Sequence, residues 1–465
     1  MISAFIYAVR YPFIQGITMF RTPSRSSALL ILSVLGLSAC SDSSKLDPAI
    51  TFGSDPTLVE PNSSLIPNVN IANAVGWPLD EKPTAPSASM QVNRFAQDLD
   101  HPRWLYTLPN GDVLVAESNK PQKHDEDGGL KQWVTKKVMS KAGAGTPSAD
   151  RITLLRDADK DGVAETKTTF LENLHSPFGM ALVGNTLYVA NTDAIVSFPY
   201  QQGQTEITKA PTELVKLPAG KLNHHWTKNI IASKDGSKLY ASIGSNSNIA
   251  ENGFDAELGR AAIWEIDIAT AEHKTYASGL RNPVGMTWSG DTLWTVVNER
   301  DELGNDLVPD YMTSVLENGF YGWPYSYYGQ NIDTRVEQRE PELVERAIKP
   351  DYALGAHTAS LGLLYTQGKH ALKELGEGMF IGQHGSWNRT PKAGYKVIFV
   401  PFKNHQPMGK PIDILTDFLS KDDEAQGRPV GVALDHSGNL LVADDVGNII
   451  WRVSPSNTNI THNLN

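Results

Sequence analysis

Short apolar runs recur along the chain, each led by a glycine-containing turn and most of them closed by polar residues. Six are read in order, at residues 111–117, 184–191, 236–242, 290–297, 378–382 and 438–444. Ahead of five of them lies a second apolar run, at residues 103–106, 178–182, 229–232, 284–288 and 430–434. Runs this short, bounded by turn residues and rich in Val, Leu, Ile and aromatics, predict β-strands. Pro109-Asn110-Gly111, Lys234-Asp235-Gly236 and His436-Ser437-Gly438 are hairpin turns by composition.

The leading glycines lie 52 to 88 residues apart. Repeats of this order, each carrying hairpins, predict propeller blades, the longer spacings being blades with loop insertions. A β-sandwich would not need six near-equivalent hairpins. The expected fold is therefore all-β, a six-bladed β-propeller over residues 91–455. Helical pattern is scarce; residues 371–375 give one or two turns at most. The last apolar run, 448–453, needs a partner, and a strand near Phe95 supplies it. Closing the ring this way removes exposed sheet edges. The tail, 456–465, is polar.

The first 90 residues have a different character. Arg21 and Arg25 precede an uncharged apolar stretch, 28–39, too short to cross a bilayer as a helix. Leu37-Ser38-Ala39-Cys40 ends it with small residues. Basic flank, short apolar stretch and small-residue end predict a secretory signal over 1–39. Its end resembles a bacterial lipobox, which implies cleavage before Cys40 and a lipid anchor there. The expected location is the cell envelope, facing the periplasm. Residues 1–18 are atypical of a signal, so Met19 competes with Met1 as the start. Residues 40–90 are rich in Ser, Pro, Asn and Asp and predict a flexible tether, with 71–79 packing on the body. A single cysteine excludes an intramolecular disulfide. The net charge is -11, and the signal removes three arginines and no acid. Such an acidic chain argues against nucleic acid as a partner.

Corresponding strand ends of a propeller point to one face. Collected, they are Glu117, Asn191, Ser245, Asn246, Asn298, Glu299, Gln383, His384, Asp444 and Asp445. Adjacent loops add His224, His225, Arg281, Asn282, Trp387, Asn388, Arg389 and Arg428. Any one of these reads as a solvated turn, a cap or an ion pair. As a set in register they predict a polar pocket. HExxH, GxSxG and a glycine-rich phosphate loop leading into a helix are missing from the sequence. A histidine beside arginines suits proton abstraction from a hydroxyl. Arg281, Arg389 and Arg428, far apart in the chain, suit a ligand bearing several carboxylates.

Asn223-His224-His225, the string Gly279-Leu280-Arg281-Asn282-Pro283 and Tyr321-Gly322-Trp323-Pro324 resemble the soluble, pyrroloquinoline-quinone (PQQ)-dependent sugar dehydrogenases. Residues 100–104, 151–165, 297–302 and 382–389 are similar to the sorbosone-dehydrogenase branch. The resemblance covers about residues 92–455 and implies PQQ and Ca2+ as cofactors. It implies His225 as the base that takes a sugar's hydroxyl proton while hydride passes to the quinone. It implies Arg281 and Asn282 at the quinone carbonyls and Arg428 at a carboxylate. Arg389, or Lys392, matches a further basic ligand. Arg300 and Asp301 match main-chain carbonyls that hold calcium, which would act as a Lewis acid. The partners implied are a sugar and an external electron acceptor.

Three departures stand out. Val284 replaces a glutamine near the cofactor of the glucose enzymes. Ser245 replaces an aspartate that orients the base, leaving Asn246 or another residue to substitute. Val430 replaces a second arginine near Arg428. Two other functions fit a propeller, since fold does not fix function. One is a non-catalytic carbohydrate or peptide binder. The other is a metal-dependent lactonase with ligands such as Glu117, Asn191 and Asp444. Asp157-Ala158-Asp159-Lys160-Asp161-Gly162, with Glu165, has the first half of a calcium loop but Thr168 at its twelfth position. It reads equally as a hairpin turn.

Overall fold

In a stack of sheets the middle strands are buried on both faces, so their apolar residues run without alternation. The strand Leu440–Asp444 shows this. Leu440 and Val442 pack with Phe380 and Phe399 on one side, whereas Leu441 and Ala443 pack with Val113 and Val115 on the other. The computed structural model describes residues 43–62, 69–121, 145–220 and 222–456. The predicted signal, Cys40 and most of the tail lie outside the described residues.

Six blade sheets follow one another along the described chain, with a separate two-stranded sheet of Ser326–Tyr327 and Asn331–Ile332. Blade 1 holds Pro102–Thr107, Val113–Glu117, Arg151–Arg156 and Thr166–Leu171. Blade 2 holds Met180–Val183, Thr186–Ala190, Ala194–Pro199 and Thr212–Lys216. Blade 3 holds Lys228–Ala232, Lys238–Ile243, Ala262–Asp267 and His273–Ser278, with Gly319–Phe320 added in parallel at its edge. Blade 4 holds Asn282–Ser289, Thr292–Asn298, Pro309–Val315 and Tyr352–Ala356. Blade 5 holds Ser360–Gln367, Glu377–Gln383, Lys396–Lys403 and Ile412–Leu415. Blade 6 holds Pro429–Leu434, Leu440–Asp444 and Ile449–Pro455. Its fourth strand, Met90–Ala96, comes from the other end of the chain and pairs antiparallel with Ile449–Pro455. The protein is thus a six-bladed β-propeller, closed near Phe95 as the pattern predicts.

The core divides the same way. Each of six large apolar clusters fills the space between two neighbouring blades, from Trp104 and Phe178 between blades 1 and 2 to Phe95 and Val113 between blades 6 and 1. Innermost strands crowd the axis. A Cβ on Gly362 would lie 2.2 Å from the Val430 carbonyl oxygen, and one on Gly285 2.6 Å from that of Leu361. Gly179 and Gly431 meet the next blade's backbone in the same way. These four glycines form a collar. On one side of it is a cavity of about 390 Å3, mostly apolar, to which all six innermost strands contribute, through Tyr106, Ala181, Ile231, Thr287, Leu364 and Val432. On the other side are the polar strand ends.

The segment expected as a flexible tether is bonded to the propeller where it is described. Phe52–Gly53 pairs with Tyr352–Ala356 as a fifth strand of blade 4. Ser44 N–H donates to the Thr390 carbonyl at 2.7 Å, and Asn70 N–H to that of Trp387 at 2.8 Å. Trp77, within the stretch expected to pack, meets Phe418 and Trp451 edge-on and donates to Asp444 Oδ2 at 2.7 Å. Backbone hydrogen bonds and one aromatic anchor hold a segment whose composition offers little apolar surface.

Candidate active site

Each innermost strand begins, and each second strand ends, at the polar face. His225 precedes the innermost strand of blade 3. Its Nδ1 lies 2.7 Å from the Ser245 carbonyl and 3.1 Å from Ser245 Oγ. Ser245 Oγ donates its own proton to the Ser247 carbonyl at 2.7 Å, so both groups facing Nδ1 are acceptors. Nδ1 therefore carries the proton and Nε2 keeps its lone pair. The orienting role, open between Asn246 and another residue, falls to Ser245 itself. Asn246 is engaged elsewhere, accepting from His224 N–H and donating its own N–H to Glu257. Burial first, then His224 and Arg281 beside it, hold the His225 imidazole well below the ordinary histidine range. The ring itself is half-buried. Gly244 brings His225 against Asn282. A Cβ there would lie 2.3 Å from Asn282 Oδ1 and 2.6 Å from His225 Cβ. Asn282 Oδ1 is buried without a hydrogen-bond partner.

Arg281 is buried at the centre of a network. Its guanidinium donates to the carbonyls of Asn248, Asn298 and Glu299, to Asn248 Oδ1 at 3.0 Å and to Asp301 Oδ2 at 3.1 Å. Asp301 also receives Asn388 Nδ2 at 2.8 Å, and His357 Nδ1 lies 3.5 Å away. Burial opposes ionisation of Asp301, but the His357 bond and the Arg281 charge outweigh it and hold the carboxyl at about 2. The Asp301 carbonyl accepts from Arg335 at 2.9 Å and from Asn248 Nδ2 at 3.2 Å. Arg300 is fully buried against Glu299, Asp333 and the carbonyls of Pro324 and Ser326. A calcium ion carried over onto these two residues would meet a guanidinium where the Asp301 carbonyl should be free. At the Asp301 carbonyl, which already accepts from Arg335 and Asn248, the described geometry does not fit that ion.

Across the axis lies a second cluster. Asp445 Oδ2 accepts from Arg103 and from His384 Nε2 at 2.9 Å, with His101 Nε2 at 3.5 Å. Burial would raise the Asp445 carboxyl, but His384, His101 and Arg103 hold it far below the usual carboxylate range. Arg428 lies over the Tyr395 ring and donates to its hydroxyl at 3.1 Å. The Arg103 guanidinium carbon is 6.0 Å from the Phe178 ring centre and 5.9 Å from that of Trp226. Arg103 therefore bridges from blade 6 to the histidine segment of blade 3. Nε of Arg103 and of Arg428 is buried without a partner. Arg103 is not among the site residues expected from the sequence. Its signals are a charged residue opening an otherwise apolar run, Arg103-Trp104-Leu105, and its place in the family-like string 100–104.

Other expected residues sit further out. Arg389 ties its own turn to the Asn305 and Pro391 carbonyls, to Ser44 Oγ and to Asp306. Its neighbour Asn388 is what reaches Asp301. Lys392 Nζ lies 3.4 Å from Asp423. Glu117 is fully buried and bound to Arg151 and Thr153, and Asp444 to Trp77, Trp451 and the Arg428 and Gly447 amides. Each of these carboxylates is engaged by neighbouring groups, which leaves the lactonase ligand set without support. Asp157, Asp159, Asp161 and Glu165 bring ligand oxygens within 4.8 Å of one another, and among the described residues no other such group occurs. They sit in the hairpin turn between the last two strands of blade 1, on the face opposite the site. There they cap backbone amides of their own turn.

The sequence profile of the TrAA12-like family matches residues 148–317 and 329–456. The chain belongs to the TrAA12-like family. An uncharacterised protein of Borreliella burgdorferi is 28% identical over 299 residues, 61% of this chain and 77% of that one. The pyrroloquinoline quinone-dependent pyranose dehydrogenase of Coprinopsis cinerea is 24% identical over 333 residues, 58% of this chain. The match spans 44% of that relative, less than half its length. The calcium structure of a Trichoderma reesei carbohydrate-active enzyme of family AA12 superposes with a TM-score of 0.64 at 18% identity, covering 84% of this chain and 99% of that one. At that identity the likeness is one of fold.

Proposed function

We propose that this TrAA12-like protein oxidises an aldose or a related aldehyde sugar by hydride transfer to PQQ held at the polar face. One observation carries the reading. His225 is fixed by Ser245 as a neutral imidazole whose Nε2 is free, next to Arg281 and Asn282. His225 Nε2 removes the proton from the sugar hydroxyl as the same carbon gives up hydride. When bound, PQQ supplies the two-electron acceptor for that hydride, and an external acceptor regenerates it. The chain offers what a flat, multiply anionic guest requires: unpartnered buried Nε–H groups on Arg103 and Arg428. The Coprinopsis relative supports a pyranose-like substrate. Calcium enters no step, since the Asp301 carbonyl is taken.

The test is titration of the apo-protein with PQQ, with and without calcium, then a panel of sugars with a dye acceptor. His225→Asn should lower kcat roughly 10²–10⁴-fold with PQQ affinity unchanged. Near-normal turnover in that variant would refute the base assignment. A binder without catalysis would show no absorbance change on adding cofactor and sugar. The lipobox-like residues 37–40 further support a lipid-anchored protein facing the periplasm. Mass spectrometry of the mature N-terminus, finding Cys40 unmodified, would overturn that placement.

A further inference from the structure

Lys228 is completely buried at the start of the innermost strand of blade 3. Its Nζ bonds to two groups, the main-chain carbonyls of His225 and Trp226, each at 3.2 Å. No carboxylate pairs with it among the described residues; Asp193 acts on it only through space and bonds to His175. A buried amine without a counter-ion is costly, so something other than core packing must account for it.

Comparison between blades shows that the fold itself does not require a lysine. Collar contacts set the innermost strands in common register, Gly179 touching Asn229 and Ile230, and Gly431 touching Arg103 and Trp104. The Lys228 carbonyl, which accepts from Gly179 N–H, matches those of Arg103, Leu361 and Val430, so the places equivalent to Lys228 in blades 1, 2, 4, 5 and 6 are Arg103, Phe178, Val284, Leu361 and Val430. Four of these five are apolar, and the fifth, Arg103, is bonded to Asp445 at the polar face. The sixth, which follows the candidate base, carries the lysine. An apolar side chain at this place has no donor for the two carbonyls.

We infer that Lys228 is a positioning residue, an amine staple beneath His225 and Trp226 that fixes their peptide planes and so aims the imidazole. Trp226 is held from the side as well, its carbonyl accepting from Thr192 Oγ1 at 2.8 Å. Thr192 in turn receives Asn223 Nδ2 at 2.9 Å, and Arg260 donates to Asn223 Oδ1 at 3.1 Å. Burial pushes the Lys228 amine well below the ordinary lysine value, and a neutral amine has two N–H groups for its two carbonyls. The held main chain keeps His225 Nδ1–H on the Ser245 carbonyl, which presents Nε2 outward.

This inference rests on reading His225 as the base, so the test keeps the two apart. Lys228→Met and Lys228→Leu would be compared with wild type, leucine being what blade 5 already carries at this place. Protein labelled with 15N-histidine reports the His225 tautomer in the apo state, the signal being assigned by its loss in His225→Asn. Wild type should show a single Nδ1–H tautomer, and both variants a mixture. In the PQQ-loaded protein the variants should lose roughly 10- to 100-fold in kcat, the cost of a misplaced catalytic group. KM and PQQ affinity should stay within about threefold. A single tautomer in both variants, or kcat unchanged, would overturn the staple. Tautomer mixing in the variants of a wild type without sugar turnover would uphold the staple and end the functional reading instead.

Discussion

At the scale of single residues, His225 is defined by what its other nitrogen touches. A carbonyl at Nδ1 makes the ring an Nε2 base, whereas a carboxylate there would favour the charged form. Burial first, then His224 and Arg281 beside it, make the imidazole hold its proton more weakly than in the unfolded chain. The sign follows. The acid limb of kcat/KM should lie below the free histidine value of about 6.5, so activity persists into mildly acidic solution. Stability should fall over the same window as pH drops, because the unfolded chain takes up the proton first. A limb at or above the free histidine value would mean that a carboxylate reaches the ring. His225, Arg281 and Asn282 were legible in the sequence because they lie where predicted strands begin. Lys228 was not, and Arg103 was legible only as part of the string 100–104, because an isolated basic residue in an apolar run reads as a surface position. Only ring closure shows that Arg103 crosses the axis, and only burial shows that Lys228 turns back on its own chain.

At the scale of elements, the second strands were the easiest to read, being short, doubly buried and led by glycine turns. The innermost strand of blade 5, Ser360–Gln367, escaped because no tight turn joins it to the next strand; a short 3-10 helix, Lys373–Leu375, stands between. Its Leu361-Gly362 nonetheless matches Phe178-Gly179, Val284-Gly285 and Val430-Gly431. The matched glycine is a packing requirement, not a turn, since a Cβ on Gly362 would enter the Val430 carbonyl. Gly362→Ala should therefore cost about 1–3 kcal/mol through overpacking. Thermal unfolding would show it as a Tm lowered by a few degrees. The loss should be larger than for Gly203→Ala, whose Cβ meets nothing within 4 Å and whose positive φ is the only penalty. Equal losses would mean that the innermost strands move apart freely and that no collar separates the apolar cavity from the polar face.

At the scale of the whole molecule, two stretches before blade 1 do different work, and their composition does not distinguish them. Met90–Ala96 completes blade 6, whereas residues 43–62 and 69–77 run over the rims of blades 4, 5 and 6. The first has period-2 alternation and was legible; the second has almost none and was read as a tether. Two shortened chains separate the roles. A chain beginning at Pro78 keeps the closing strand but loses Ser44 on Arg389 and Trp77 on Asp444. It should stay soluble and unfold cooperatively at a lower Tm, since losing a large aromatic packing contact costs about 3–5 kcal/mol at most. Its PQQ affinity should fall, because the turn that carries Asn388 loses its outer support. A chain beginning at Leu99 leaves Ile449–Pro455 unpaired, with the apolar side chains of Trp451 and Val453 uncovered. An exposed apolar edge of that length is a template for pairing between molecules. Gel filtration should find that chain aggregated; a monomer with sharp unfolding would show that the ring does not depend on the strand that closes it.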